Sequence, residues 1–136
     1  ATALSCGAPE VSAPLPPQAT PPIGAGCAVY QGVVSGNDEM RATFTLCRGA
    51  AGLSGWVRFA SERSGWSDRE IAGSVDPSGH LIMKDTAVIA AAAAAGWEFC
   101  PVDRYELVQT ASGRVEGSYR STACNDFARL ILERVQ

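Results

Sequence analysis

Two pairs of cysteines each bracket two runs of alternating apolar and polar residues with a turn-forming cluster between them. That arrangement restricts the chain to antiparallel β hairpins closed at their open ends. In the stretch CPVDRYELVQTASGRVEGSYRSTAC, which runs from Cys100 to Cys124, Tyr105, Leu107 and Gln109 share one face of a first run. Val115, Gly117 and Tyr119 share one face of a second, and Ser112-Gly113 supplies the turn. Two registers fit. A two-residue turn sets Tyr105 opposite Arg120 and leaves Cys100 one residue out of step with Cys124, nominally on the other face. A three-residue turn that includes Arg114 aligns Leu107 with Tyr119 and puts both cysteines on one face. Either brings the cysteines close to the roughly 7 Å between Cα atoms that a disulfide can span.

Cys27 and Cys47 repeat the pattern. Runs 28–35 and 40–47 flank Gly36-Asn37-Asp38, and pairing Ser35 with Met40 would set Cys47 opposite Ala28, one residue from Cys27. The expected disulfides are therefore Cys27 with Cys47 and Cys100 with Cys124. Each closes a loop of about 20 to 25 residues and contributes about 3 kcal/mol in the chain-entropy picture. With five cysteines in 136 residues, Cys6 is left unpaired, bonded to another chain or modified. This usage suits an extracytoplasmic setting (periplasmic, cell-surface or secreted) better than the cytosol. Zinc is the rival reading of so many cysteines, but no pair has the C-x2-4-C spacing and His80 is the only histidine, so neither a metal nor a cofactor is expected.

Further alternating runs cover 53–60, 69–75, 80–85, 103–110, 114–121 and 129–135, the fourth and fifth strands joined by the turn sequence Asp76-Pro77-Ser78-Gly79 and the last run preceded by a turn at 125–127. Eight short strands with mostly tight turns predict an all-β domain, an up-and-down (meander) antiparallel barrel or a sandwich, stapled by disulfides. Gly55, Gly73 and Gly117, each in mid-strand, favour the meander, because a barrel wall bends or a neighbour packs closely at such positions. Residues 86–95, TAVIAAAAAA, break the alternation. Alanine's propensity, Asp85 as N-cap and Gly96 as C′ residue predict one short helix. The rival is continuation of the strand through Ala87, Val88 and Ile89.

Residues 1–26 hold six of the eight prolines and one charged residue, Glu10, and read as an extended tether ahead of a folded domain over 27–136. Ala3-Leu4-Ser5-Cys6 resembles the end of a bacterial lipoprotein signal, yet only five residues precede the cysteine, with no apolar stretch among them; a spacer that carries one cysteine is the favoured reading. Gly117-Ser118-Tyr119-Arg120-Ser121 resembles the glycine-x-aromatic strand of avidin-like and lipocalin-like barrels. The resemblance covers one strand and implies a barrel that can hold a small apolar ligand in its mouth; it assigns no binding residue.

A net charge of −3 with 18% charged residues leaves no basic stripe for nucleic acid. No apolar run reaches the roughly 18 residues of a membrane-spanning helix. His80 has Asp76, Ser78 and Asp85 near it in sequence, but without a nucleophile-elbow motif a solvated turn histidine is the simpler reading. Asp68 with Glu70 and Asp103 with Glu106 are candidate carboxylate pairs by spacing, each beside an arginine, Arg69 or Arg104, that argues for a surface ion pair instead. The aromatic residues Trp56, Trp66, Trp97 and Tyr119 are the binding candidates. Trp66 leads, as a tryptophan in a polar loop, and Trp97 is expected to pack on the second disulfide. The function expected is non-enzymatic binding of a protein partner, as an accessory subunit of a larger envelope or secreted assembly. A lipocalin-like or avidin-like small-ligand barrel, or an inhibitor of a secreted enzyme, is the alternative.

Overall fold

The computed structural model describes residues 26–36, 39–96, 99, 103–121 and 123–136. Its strands are β1 (Cys27–Ser35), β2 (Glu39–Gly49), β3 (Gly52–Ser61), β4 (Gly65–Val75), β5 (Leu81–Ala93), β6 (Asp103–Ala111), β7 (Arg114–Ser121) and β8 (Asp126–Arg134). Each pairs antiparallel with the next, and β1 pairs with β8, so the sheet closes into an eight-stranded meander barrel. The alternation seen in the sequence becomes inside and outside. Leu53, Gly55, Val57 and Phe59 point inward, while Ser54, Trp56, Arg58 and Ala60 point outward.

The interior is filled. Leu46, Leu53, Leu81, Leu107, Val115 and Leu132 form one layer. Above them Phe44, Phe59, Tyr105 and Tyr119 make an aromatic plug, with Phe44 edge-on to Phe59 at 6.0 Å and to Tyr105 at 5.6 Å, and Tyr119 5.9 Å from Phe59. Edge-to-face rings at these separations add attraction beyond their area.

Narrow curvature explains the mid-strand glycines. A Cβ at Gly55 would coincide with the carbonyl oxygen of Thr45 on β2, and one at Gly117 with that of Glu106 on β6; Gly73 meets Ile82 in the same way. The neighbouring backbone occupies the space a side chain would need.

Disulfide Cys27–Cys47 forms between directly paired residues with Cα atoms 3.9 Å apart. The expected one-residue offset is corrected: Ser35 pairs with Glu39 rather than Met40, which brings the whole hairpin into step. Cys124 is disulfide-bonded, while its expected partner Cys100 lies outside the described residues, as do Cys6, Trp97 and residues 1–25 of the tether expected over 1–26. Neither register proposed for the β6–β7 hairpin holds. Tyr105 pairs with Tyr119 and Leu107 with Gly117, because an irregularity between Gln109 and Ala111 absorbs one residue.

The helix expected over 86–95 is absent; β5 runs to Ala93, followed by a turn in which Gly96 takes a positive φ of 82°. Two facts override the alanine propensity. Residues 87–93 pair with β4 across Gly65, Trp66, Ser67, Asp68, Arg69 and Glu70, which satisfies backbone groups that a ten-residue helix satisfies only marginally. Asp85, the expected N-cap, is instead buried in the interior and accepts hydrogen bonds there. Strand β4 also starts earlier than expected, so Trp66 lies in a strand and not in a loop, and β8 begins at Asp126, inside the expected turn, with Asn125 at a φ of 50° ahead of it.

Gly117→Ala should lower unfolding free energy by on the order of 3 kcal/mol, the upper range for overpacking. Gly49→Ala, where a Cβ meets nothing within 4 Å, should change it by less than about 0.5 kcal/mol. Urea denaturation of the two variants checks both.

Candidate functional site

Three charged residues occupy the inward phase of their strands at one end of the barrel. Arg69 on β4, Asp85 on β5 and Asp103 on β6 are each at least 95% buried. One guanidinium nitrogen, Nη1 of Arg69, donates to Asp85 Oδ2 at 2.7 Å and to Asp103 Oδ2 at 2.5 Å, and its Nε donates to Ser67 Oγ at 3.2 Å. Asp85 also accepts the Tyr105 hydroxyl at 2.6 Å and the backbone N–H of Asp103 at 2.9 Å. The cation lies 5.4 Å over the Phe59 ring, so the cluster caps the aromatic plug. Oδ1 of Asp103 is buried with no hydrogen-bond partner among the described residues.

Two carboxylates thus share one cation in the buried interior. Burial pushes the Asp103 carboxyl above the usual carboxylate range; Arg69 offsets only part of this, and the charge of Asp85 adds to it. Burial alone would ease deprotonation of Arg69, but Tyr105, Asp85 and Asp103 outweigh it and hold the guanidinium charged. Burial and Asp85 likewise push the Tyr105 hydroxyl well up, which keeps it a donor.

The outer face of the same wall carries two of the expected binding residues. Trp56 and Trp66 are half-buried on the outward phase of β3 and β4, and between them Arg58 holds Asp68 in a two-point ion pair, Nε to Oδ1 at 2.5 Å and Nη2 to Oδ2 at 2.6 Å. The Arg58 guanidinium lies 5.1 Å from the centre of the Trp66 ring. Stacking on an aromatic face and forked pairing to a carboxylate both suit arginine, and together they fix the orientation of Trp66. Beside Trp56 is a shallow hollow of about 320 Å³ walled by Glu70, Ala72 and Thr86. The uncharged outer half of β5, residues 86–93, continues this face; Val88 and Ile89 there are 44% and 40% exposed.

The remaining candidates separate. Tyr119 is inside, 8% exposed, its hydroxyl donating to Asp126 at 3.0 Å. His80 Nδ1 lies 2.8 Å from Glu106 Oε2 at the surface, while Ser78 donates its hydroxyl to Asp76, so Ser78, His80 and the acids do not form a relay. Asp103 faces inward and Glu106 outward, and Asp68 pairs across the sheet with Arg58 rather than with its neighbour Arg69. Among the described residues no group of three or more His, Cys, Asp or Glu is placed to hold a metal, and no helix is long and apolar enough to cross a membrane. No protein-family model, curated protein or solved structure matches the chain.

Arg69→Met leaves both buried carboxylates without their cation and should cost about 3–5 kcal/mol at pH 7. That cost should shrink toward pH 4 as Asp103, whose carboxyl burial holds above the usual range, is neutralised. Asp103 supplies a second pH signature. Its folded pKa lies above its unfolded value, so below that raised pKa the folded state binds more protons, and stability from this group rises as pH falls toward the usual carboxylate range. Denaturation curves from pH 7 to pH 4 should show the wild type gaining stability relative to Asp103→Asn.

Proposed function

We propose that this chain is a non-enzymatic extracytoplasmic interaction domain, an accessory subunit that docks to a larger envelope or secreted assembly through the outer face of β3, β4 and the outer half of β5. The observation that carries the reading is Trp66, held by the Arg58–Asp68 ion pair, with Trp56 on the same outer face of a barrel whose centre is already packed with aromatic rings. A filled interior moves recognition to the surface, and rigid tryptophans beside an uncharged, exposed strand are the kind of anchor that protein interfaces use. The partner presents apolar side chains to the tryptophans and one basic side chain to the hollow by Trp56, where Glu70 is exposed. Disulfide chemistry at Cys27, Cys47 and Cys124 fits an oxidising compartment.

Affinity capture from an envelope fraction, followed by titration of the captured partner, tests the proposal. Trp66→Ala should weaken binding by about 30-fold, the equivalent of a 2 kcal/mol hot spot. Ala91→Lys, which puts a charge on the exposed strand, should weaken it at least about tenfold, equivalent to 1.4 kcal/mol. Equal binding by wild type and both folded variants would remove this face from consideration.

A further inference from the structure

Among the described residues, the end of the barrel opposite the Arg69 cluster is open, and its chemistry differs from that of any other cavity surface described above. Directly paired residues in an antiparallel sheet point to the same side, so register alone settles which rim residues face the axis. Arg48 pairs with Leu53, which is buried in the core, so Arg48 faces inward. Arg134 pairs with Tyr30, which itself pairs with the core residue Phe44, so Arg134 faces inward as well. Gln109 pairs with buried Val115 and does the same. Three strands therefore bring two guanidinium groups and one amide to the mouth of the barrel.

Beneath them lies a cavity of about 370 Å³ with Leu46, Leu53 and Leu81 as its floor and Tyr30 on its wall. Among the described residues, no acidic residue lines it. Nor does Arg48 or Arg134 form an ion pair with an Asp or Glu side chain among the described residues, whereas Arg58, Arg69, Arg114 and Arg129 all do. Arg134 is steadied by donating from Nε to the main-chain oxygen of Gln136, the last residue, at 3.0 Å. In a chain of net charge −3, two inward arginines with no Asp or Glu side-chain partner among the described residues raise the potential above a leucine floor.

We propose that this mouth binds a small amphiphile with one anionic headgroup, a medium-chain carboxylate, with its chain on the leucine floor and its carboxylate between Arg48 and Arg134. The volume sits at the small end of the roughly 300–1,000 Å³ range of ligand sites, which suits a short chain and excludes a two-chain lipid. Arginine's fork matches a carboxylate, and Gln109 adds a neutral donor. The site lies at the opposite end of the barrel from Arg69 and does not depend on the outer tryptophan face.

Isothermal titration calorimetry on the full chain, with octanoate, 1-octanol, acetate and inorganic phosphate as separate titrants, tests the proposal. Octanoate should bind at least tenfold more tightly than each of the others. The double variant Arg48→Gln, Arg134→Gln should lose at least tenfold in octanoate affinity and change 1-octanol binding by less than twofold. Leu53→Asn, with folding verified by circular dichroism, should weaken octanoate without creating affinity for acetate. Methyl NMR shifts on octanoate addition should centre on Leu46, Leu53 and Leu81. Equal binding of octanoate and 1-octanol would overturn anion recognition, equal binding of octanoate and acetate or phosphate would overturn the apolar component, and shifts centred elsewhere or no octanoate binding would overturn the site.

Discussion

The barrel depends on a buried ionic cluster placed where its hydrogen-bonded wall is thinnest. Among the described residues, strands β5 and β6 share four paired positions, Leu81 to Lys84 against Arg104 to Leu107, while β2 with β3 and β3 with β4 share nine each. Immediately beyond the last pair of that short ladder, the Asp85 side chain takes over from the backbone. It accepts the N–H of Asp103 across the seam and the hydroxyl of Tyr105 from the same strand. Arg69 on β4 then binds Asp85 and Asp103 together, so three consecutive strands are tied at one point. Buried ion pairs give little net stability relative to apolar replacements of similar shape, but removal of one partner is costly, which makes the cluster a determinant of how the wall closes.

Everything on the function side follows from how inside and outside are divided. Aromatic rings fill the middle of the barrel, the Arg69 cluster closes one end, and leucines floor the other. The two proposed binding surfaces are therefore the outer wall, where the tryptophans lie, and the mouth, where arginines face the axis. The irregularities in the pairing of β5 with β4, between Asp68 and Arg69 and again between Glu70 and Ile71, mark the start of its exposed outer half, which stays paired with β4 as far as Ala93. Extra residues of this kind bend and twist a strand, which re-aims the side chains that follow.

Much of this fold was legible in the alternation of residues. All eight strands, the meander and the glycine positions follow from it, and Cys27–Cys47 follows with a one-residue error that the Gly36-Asn37-Asp38 turn alone could not resolve. Residues 86–95 failed because propensity is local while the pairing with β4 is not. The sites were less visible, although their signal was in the same alternation. Arg69 shares phase with Ile71, Asp85 with Met83 and Asp103 with Tyr105; a charge on the apolar phase of a strand is the mark of a buried polar cluster. Arg48 continues the phase of Phe44 and Leu46, and Arg134 that of Leu130 and Leu132, which places both on the barrel axis. By the same rule Tyr119 belongs inside and Trp56 outside, where the structure has them. Which charges meet could not be read this way, since it depends on registers that turns and bulges shift by one residue.

Site-resolved amide hydrogen exchange in wild type and Arg69→Met tests most directly whether the cluster holds the seam, because exchange reports local opening strand by strand. If it does, protection at the β5–β6 amides of 81–84 and 104–107 falls at least tenfold more than protection at the β2–β3 amides. Loss of protection spread evenly over all eight strands would contradict it and reduce the cluster to one contribution among many.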